Sequence, residues 1–185
     1  MLLRKRDSLL LTCLLLACCQ KADLLNEPPD AGSAADTEQG VAVIGTGKGT
    51  RAYPYTVTDI SALELSDEAV WVIGYMVGTA RLTMNNATFT ADTENQSNIL
   101  LSADSLCTDA ALCIPVELSS AKNKADFSLP ANTAHFHQCL LVKGIPAMYL
   151  RRKGLQRVSA GLWLDGFDIA SVAPSEWGSI ILQQP

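Results

Sequence analysis

The feature that most constrains the fold is a series of five short runs rich in β-branched and aromatic residues, bounded by polar or turn-forming residues. Runs of this composition and length are typical of β-strands. They occupy residues 70–77, 98–102, 113–118, 138–143 and 155–164. A polar crossover at 119–126 separates the third run from the fourth, an arrangement that suits a small closed barrel. The sequence therefore predicts a mainly β fold, a five-stranded Greek-key barrel.

A short helix is predicted before the first strand. Thr56 is of the residue type that caps a helix N-terminus, and Ile60 follows at helical spacing, which predicts a helix over 56–65. After the fifth strand, the Asp-Gly pair at 165–166 signals a turn. We expect the tail beyond it, with Trp177, to pack back on the body of the domain.

The first residues of the chain have the order of an export signal. Basic residues at 4–6 precede an apolar run at 9–17, which is too short for a permanent membrane helix, since that needs about 20 apolar residues. The segment 15–18, Leu-Leu-Ala-Cys, resembles the bacterial lipobox, in which the cysteine is acylated and becomes the new N-terminus. We therefore predict lipidation of Cys18 and anchoring at the outer membrane or cell surface, with the periplasmic face still open. An ordinary secretory signal, or acylation of Cys19, remains an alternative.

An acidic linker follows the signal. Residues 20–45 contain five Asp or Glu, one Lys and no aromatic residue, a composition that buries too little apolar surface to offset the entropy cost of ordering. The predicted organisation is a signal peptide at 1–17, a flexible linker at 18–45 and one domain at 46–185. Residues 19–185 contain 11 Lys or Arg and 18 Asp or Glu, which argues against a protein that grips nucleic acid over its whole surface.

Three cysteines lie in the predicted domain, Cys107, Cys113 and Cys139, so at most one disulfide forms within it. Cys107 and Cys113 bracket a loop-like stretch, a spacing that suits a bridge in an oxidising compartment. Burial of all three as small hydrophobic residues is an equally open interpretation. None of them has the Cys-x-x-Cys spacing of zinc or redox sites.

Five sequence phrases occur in this chain in a specific order. The phrases lie at 54–57, 71–78, 98–102, 113–118 and 141–144, and Gly154-Leu155 follows them. Together they resemble an OB-fold domain of unknown function found in exported lipoproteins of the Bacteroidetes type. The resemblance covers most of residues 46–166 and implies a five-stranded OB-fold barrel. The chain departs from the pattern before the fourth strand, where His135-Phe136-His137 replaces a more polar, glycine-containing turn.

The implied fold indicates where to look for a site. Ligands of OB folds usually lie across the second and third strands, flanked by the loop that joins the first two strands and the loop that joins the fourth and fifth. These loops correspond here to 83–97 and to a connection through Pro146 to Gly154. The candidate ligand-binding residues are Asn85, Asn86, Tyr149, Arg151, Arg152 and Lys153, with further amides at Asn95 and Gln96.

The chemistry of these residues leaves several ligands open. Residues 143–157 contain five basic residues and no acidic one. An aromatic ring beside cations is typical of single-stranded nucleic acid binding, and the same groups suit an anionic polysaccharide. The amides suit a sugar or a base. The alternative is a solvated turn whose charges only keep a hairpin soluble.

Catalysis finds little support in the sequence. His135 and His137 are the two histidines of the chain, and in a strand a spacing of two places both on one face, as a metal site requires. Two ligands are too few for such a site. The glycine-rich stretch at 45–50 lacks the spacing of a phosphate-binding loop. We expect no enzymatic activity, no cofactor and no metal.

The expected function is a lipid-anchored, exported, non-catalytic binding module of OB-fold type, with a glycan, a polyanion or a protein as ligand. The expected partners are the membrane, through the lipid, and a glycan, polyanion or other envelope protein. Nucleic acid is less favoured because an exported acidic protein seldom meets it. The alternative is a structural or assembly lipoprotein of the cell envelope.

Overall fold

The computed structural model describes residues 47–184. The predicted signal peptide at 1–17, the predicted linker at 18–45 with the lipidation site Cys18, and the first residue of the predicted domain, Thr46, lie outside the described residues. The strands are β1 Tyr55–Thr56, β2 Val70–Ala80, β3 Ala87–Thr88, β4 Asn98–Ser102, β5 Cys113–Glu117, β6 Cys139–Tyr149 and β7 Arg152–Leu164. The α-helices are α1 Val57–Ala62, α2 Ala121–Phe127 and α3 Pro174–Ile181.

Five of the strands close into a barrel. Their order is β2-β4-β5-β7-β6, and β6 pairs again with β2. Neighbouring barrel strands are antiparallel except β5 and β7, which run parallel through the pair Val116 and Leu155. β1 and β3 pair with β2 from outside the barrel. The predicted mainly β fold, a closed barrel of five strands with a short N-terminal helix, is confirmed.

β2 is buried on both of its faces. Side chains alternate along a strand, so Val72 and Met76 belong to the cluster inside the barrel, whereas Ile73 and Tyr75 belong to the cluster on its outer side. A strand covered on both faces has a near-continuous apolar sequence rather than an alternating one. This explains why the run at 70–77 is the strongest strand signal in the chain.

α1 begins where the sequence predicts. The Thr56 hydroxyl accepts a hydrogen bond from the Asp59 amide at 3.2 Å, and the Asp59 carboxylate accepts one from the Thr56 amide at 2.7 Å. This reciprocal pair is a capping box. Val57 and Ile60 are buried in the barrel core. The helix ends at Ala62, before the predicted residue 65, because Leu63 is extended at φ −61° and ψ 143°.

The C-terminal segment, residues 165–184, packs on the outer side of the barrel. The Tyr75 hydroxyl donates a hydrogen bond to Asp168 Oδ1 at 2.6 Å and accepts one from the Ile169 amide at 2.7 Å. Trp177 and Ile181 of α3 are 3% and 0% exposed, so the predicted packing of the tail is confirmed. Burial, together with the bond to Asp168, raises the pKa of Tyr75, and the same bond lowers the pKa of Asp168.

The hairpin between β6 and β7 departs from the prediction. The predicted bounds of the connection, Pro146 to Gly154, are wrong, because β6 continues to Tyr149 and β7 begins at Arg152. Leu150 and Arg151 lie between them at φ 49° and 65°. Two left-handed residues are what a type I′ turn requires, and such turns normally use Asn or Gly. A Leu-Arg turn therefore carries no recognisable signal in the sequence.

We expect Tyr75→Phe to loosen the C-terminal segment. The Ile169 amide loses its acceptor, which costs about 1 kcal/mol, and Asp168 loses its main donor, so its pKa rises toward the ordinary value. A carboxyl group with a depressed folded pKa stabilises the protein above its unfolded pKa of about 3.9, and this stabilisation is lost as the pH falls through the folded pKa. The stability difference between wild type and variant, measured by urea unfolding, should therefore narrow in acid.

A stability difference that stays constant from neutral to acidic pH would contradict the role of ionised Asp168. Tyr149→Phe is the matched control, because Tyr149 lies at the far end of β6 from the C-terminal segment and its loss of a hydroxyl should leave that segment unchanged.

Candidate functional site

A polar cleft lies beside the tip of the β6–β7 hairpin, residues 149–152. Its volume is about 950 Å³. One wall is the end of β2 with the turn after it, at 80–82, and a second wall is the segment 93–98. Tyr149 and Leu150 of the hairpin tip form the third, and Lys124 of α2 completes the lining. The cleft therefore lies between the loop joining the first two barrel strands and the hairpin joining the last two.

Two asparagines hold the first two walls together. The Asn98 side chain accepts from the Ala80 amide and donates to the Ala80 carbonyl, both at 2.9 Å. The Asn95 amide group donates to the same carbonyl at 2.9 Å. Asn98 is 2% exposed. Its replacement would leave buried backbone groups without hydrogen-bond partners and so lower the stability of the fold. Asn95, noted in the sequence as a ligand-binding amide, is thus occupied in holding the wall.

A glycine lets the loop that leads to the second wall cross β2. A Cβ atom on Gly78 would lie 2.1 Å from the Thr88 carbonyl oxygen, a distance that no side chain tolerates. β3 therefore packs directly against the β2 backbone, and the β2–β4 register shifts between Met76 and Gly78. Gly78 therefore lies both at the contact with β3 and at the register shift between β2 and β4.

The remaining lining groups are available for a ligand. Arg81, Glu94 and Gln96 are exposed, whereas Lys124 and Tyr149 are half-buried. Burial raises the pKa of Tyr149, although side-chain hydrogen bonds with Asn98 and Ser97 act in the opposite direction. The cleft thus presents two cations, one carboxylate, one amide and one phenol. This set suits a ligand with several hydroxyl groups and an anionic group.

Of the residues predicted from sequence, Tyr149, Asn95 and Gln96 line the cleft. Asn85 and Asn86 are exposed in a turn of 3-10 helix at Met84–Asn86 and are not among the lining residues. The Asn86 amide group donates to the Arg81 carbonyl at 3.0 Å. The Met84 amide donates to the Leu150 carbonyl at 3.3 Å and so joins this turn to the hairpin tip.

The three consecutive basic residues of the hairpin differ in their surroundings. The Arg152 guanidinium donates to the Ala110 and Ala111 carbonyls, each at 2.7 Å. The Lys153 ammonium donates to the Leu63 carbonyl at 2.7 Å, just after α1. Arg151 is exposed at the turn. Arg152 and Lys153 therefore join the hairpin to other parts of the barrel and do not line the cleft.

Arg81, Glu94 and Lys124 complete the cleft, and sequence reasoning missed all three. None of them has a charged residue directly beside it, and Lys124 is distant from the other two in the chain. The run at 151–153 is a conspicuous candidate in the sequence because its three charges are adjacent. Adjacency in sequence is no guide here, since only the barrel closure brings α2 beside the loop after β2.

The two histidines are not in a strand, so strand spacing does not place them on one face. His135 ends a 3-10 turn at Thr133–His135 and stacks on Trp163, with ring centroids 4.3 Å apart and planes 8° from parallel. His137 has a left-handed backbone at φ 68°, and its Nδ1 forms a hydrogen bond with the Ser105 carbonyl. Within residues 47–184, no group of three or more His, Cys, Asp or Glu side chains is placed to hold a metal ion.

The three cysteines of the domain are buried thiols. The Sγ atoms of Cys107 and Cys113 lie 3.8 Å apart, which is longer than the roughly 2.05 Å of a disulfide bond. Burial raises the pKa of Cys113 to about 12 and that of Cys139 still further. The Cys107–Cys113 disulfide stays a prediction.

The described part of the chain is thus a closed β-barrel of five strands with a polar cleft at one end. The chain belongs to the family described as Domain of unknown function (DUF6359), whose model matches residues 55–164. The match runs from the first residue of β1 to the last residue of β7 and leaves out the C-terminal segment. The sequence matches no curated protein. None of the helices in the described part is long and apolar enough to cross a membrane.

We expect Arg152→Ala to destabilise the barrel while Arg151→Ala leaves it nearly unchanged. Arg152 makes two charge-assisted bonds to carbonyl groups, and losing such bonds costs about 1.5–3 kcal/mol. Arg151 is exposed, and substitutions at exposed positions usually stay within about 0.5 kcal/mol. The free energy of unfolding, measured in urea, distinguishes the two. Equal effects would contradict the assignment of Arg152 to a structural role.

Proposed function

We propose that this protein is an exported, lipid-anchored, non-catalytic binding module of OB-fold type, and that its cleft takes a glycan with an anionic group. The observation that carries the proposal is the position of the cleft. It lies between the loop after the first barrel strand and the hairpin of the last two, where OB folds bind ligands. The strand order, with β5 parallel to β7, is consistent with that fold.

The lining groups favour a glycan over nucleic acid. Hydroxyl-rich ligands need donors and acceptors at several points, which Gln96, Glu94 and Tyr149 supply. Arg81 and Lys124 supply the charge for a carboxylate or sulfate. Single-stranded nucleic acid needs a row of stacking rings along a basic groove, whereas this cleft contains one aromatic ring and a carboxylate. The acidic composition of the chain points the same way.

The glycan proposal is tested on an array of neutral, uronic and sulfated oligosaccharides together with single-stranded oligonucleotides. We expect binding to acidic glycans, and a loss of about 10-fold or more for Arg81→Ala and for Lys124→Ala, because each removes a charge-assisted bond. Arg151→Ala, at an exposed position outside the cleft, is the matched control and should bind as wild type does. The affinity should fall only moderately with salt, since few cations take part.

Wild-type binding by both cleft variants would contradict the proposal. Preferential binding of oligonucleotides with a steep salt dependence would replace the glycan by nucleic acid.

The anchoring proposal rests on the lipobox-like segment at 15–18. We expect the protein expressed in a bacterium that processes lipoproteins to partition into the membrane fraction, and Cys18→Ser to release it. Intact-mass measurement should show cleavage before Cys18 with acyl chains added. A wild-type protein that begins elsewhere with an unmodified Cys18 would refute it, and Cys19→Ser is the control that separates the two cysteines.

A second candidate is a structural or assembly lipoprotein that contacts another envelope protein. The observation in its favour is a group of exposed leucines: Leu82, Leu106 and Leu112 are 85%, 73% and 63% exposed. The 3-10 turns after β2 and before β5, which adjoin Leu82 and contain Leu112, contact each other. If no glycan or polyanion binds, this candidate replaces the first, and Leu82→Ser with Leu112→Ser should then weaken the contact with the partner.

A further inference from the structure

Cys107 and Cys113 are placed to react with each other. They lie in and after the segment that joins β4 to β5, residues 103–112, and are 6% and 1% exposed. Their sulfur atoms are 3.8 Å apart, and both thiols point at the Asp109 carbonyl, at 3.4 Å and 3.3 Å. The two side chains therefore already converge on one point inside a short loop.

We propose that Cys107 and Cys113 form a disulfide bond in the exported protein, and that this bond fixes the segment on which the hairpin tip is anchored. The inference rests on the exported location in the proposed function. In the reaction the two thiols lose two protons and two electrons and their sulfur atoms bond. A disulfide, either that of an oxidised oxidoreductase or that of oxidised glutathione, takes up the two electrons and two protons and is reduced to two thiols.

The bond leaves no buried group without a partner. Oxidation removes the two S–H donors that now point at the Asp109 carbonyl, but that carbonyl keeps the Leu112 amide at 3.0 Å. The Asp109 side chain still accepts from the Ala111 amide at 2.7 Å. The sulfur atoms must approach by somewhat under 2 Å to reach a bonding distance of about 2.05 Å, which falls within the adjustment of a short loop.

Cys139 is not a competing partner in the folded barrel. Cys113 is on β5 and Cys139 is on β6, and β7 separates these strands in the sheet. Both side chains belong to the cluster on the outer side of the barrel. Side chains that point outward from strands of a curved sheet that are not neighbours diverge, so their sulfur atoms cannot meet without breaking strand pairing.

The bond would act on the wall of the cleft. The segment 103–112 supplies the Ala110 and Ala111 carbonyls that hold Arg152, and the Ser105 carbonyl that holds His137. Arg152 is the residue that follows the turn of the hairpin tip, whose Tyr149 and Leu150 line the cleft. Closing the loop covalently therefore restrains Arg152 and, through it, one wall of the binding site.

The timing of the reaction follows from burial. The thiolate is the attacking species, and burial strongly disfavours it at Cys113. Oxidation should therefore be fast while the chain folds and slow once the barrel has closed. For this reason the test starts from unfolded, reduced protein.

The test refolds the full chain from denaturant in a glutathione buffer with the oxidised form in excess, traps remaining thiols with iodoacetamide, and maps the peptides by mass spectrometry. We expect the peptides that contain Cys107 and Cys113 to be linked with a loss of two mass units, and Cys139 to be alkylated. The oxidised protein should melt roughly 5–10 °C above the reduced one. Amide hydrogen exchange at residues 150–152 should also be slower after oxidation.

Two matched variants identify which cysteines form the bond. Cys139→Ala should still form the link, whereas Cys107→Ala should leave Cys113 alkylated and lose the gain in melting temperature. The proposal is overturned if wild type refolds in this buffer with Cys107 and Cys113 both alkylated, or with Cys139 in the bond. These results come from purified protein, so they do not depend on whether the protein is exported. If the link forms in purified protein but the pair is reduced in cell extract, the exported location is contradicted and the ability of the pair to form the bond is not.

Discussion

The rest of the structure depends on β2 being paired along both edges and buried on both faces. β2 bonds to β4 and to β6, which closes the barrel, and it also carries β1 and β3. Its inward side chains belong to the barrel core and its outward ones lie under the C-terminal segment. Removing water from both faces at once is what holds a five-stranded sheet closed, since neither cluster alone would bury the whole strand.

The cleft is a consequence of how β2 ends. At Gly78 the strand bulges and lets β3 cross its backbone, and two residues later Asn98 and Asn95 hold the Ala80 peptide. The hydrogen bond from Met84 to Leu150 joins this loop to the hairpin tip at one point, and the cleft lies between the tip and the segment 93–98. The polar groups nearest the sheet are used to build the walls, which leaves the exposed Arg81, Glu94 and Gln96 for a ligand.

The three adjacent basic residues of the hairpin have different roles. Arg152 and Lys153 donate hydrogen bonds to backbone carbonyl groups of Ala110 and Leu63, so their charged groups face the protein. Arg151 faces solvent because it occupies the turn itself. Three adjacent cations therefore do not make one binding surface, and the cations of the cleft come from the loop after β2 and from α2.

The sequence by itself determined the strands, the capped helix and the closed barrel. β-branched runs, a Thr-x-x-Asp cap and a crossover of polar residues are local signals, and local signals need only neighbouring residues to be interpreted. The hairpin turn and the cleft were decided by tertiary structure. Leu150 and Arg151 take left-handed angles because paired strands on both sides impose the turn, and Lys124 reaches Arg81 and Tyr149 around one cleft only because the barrel closes.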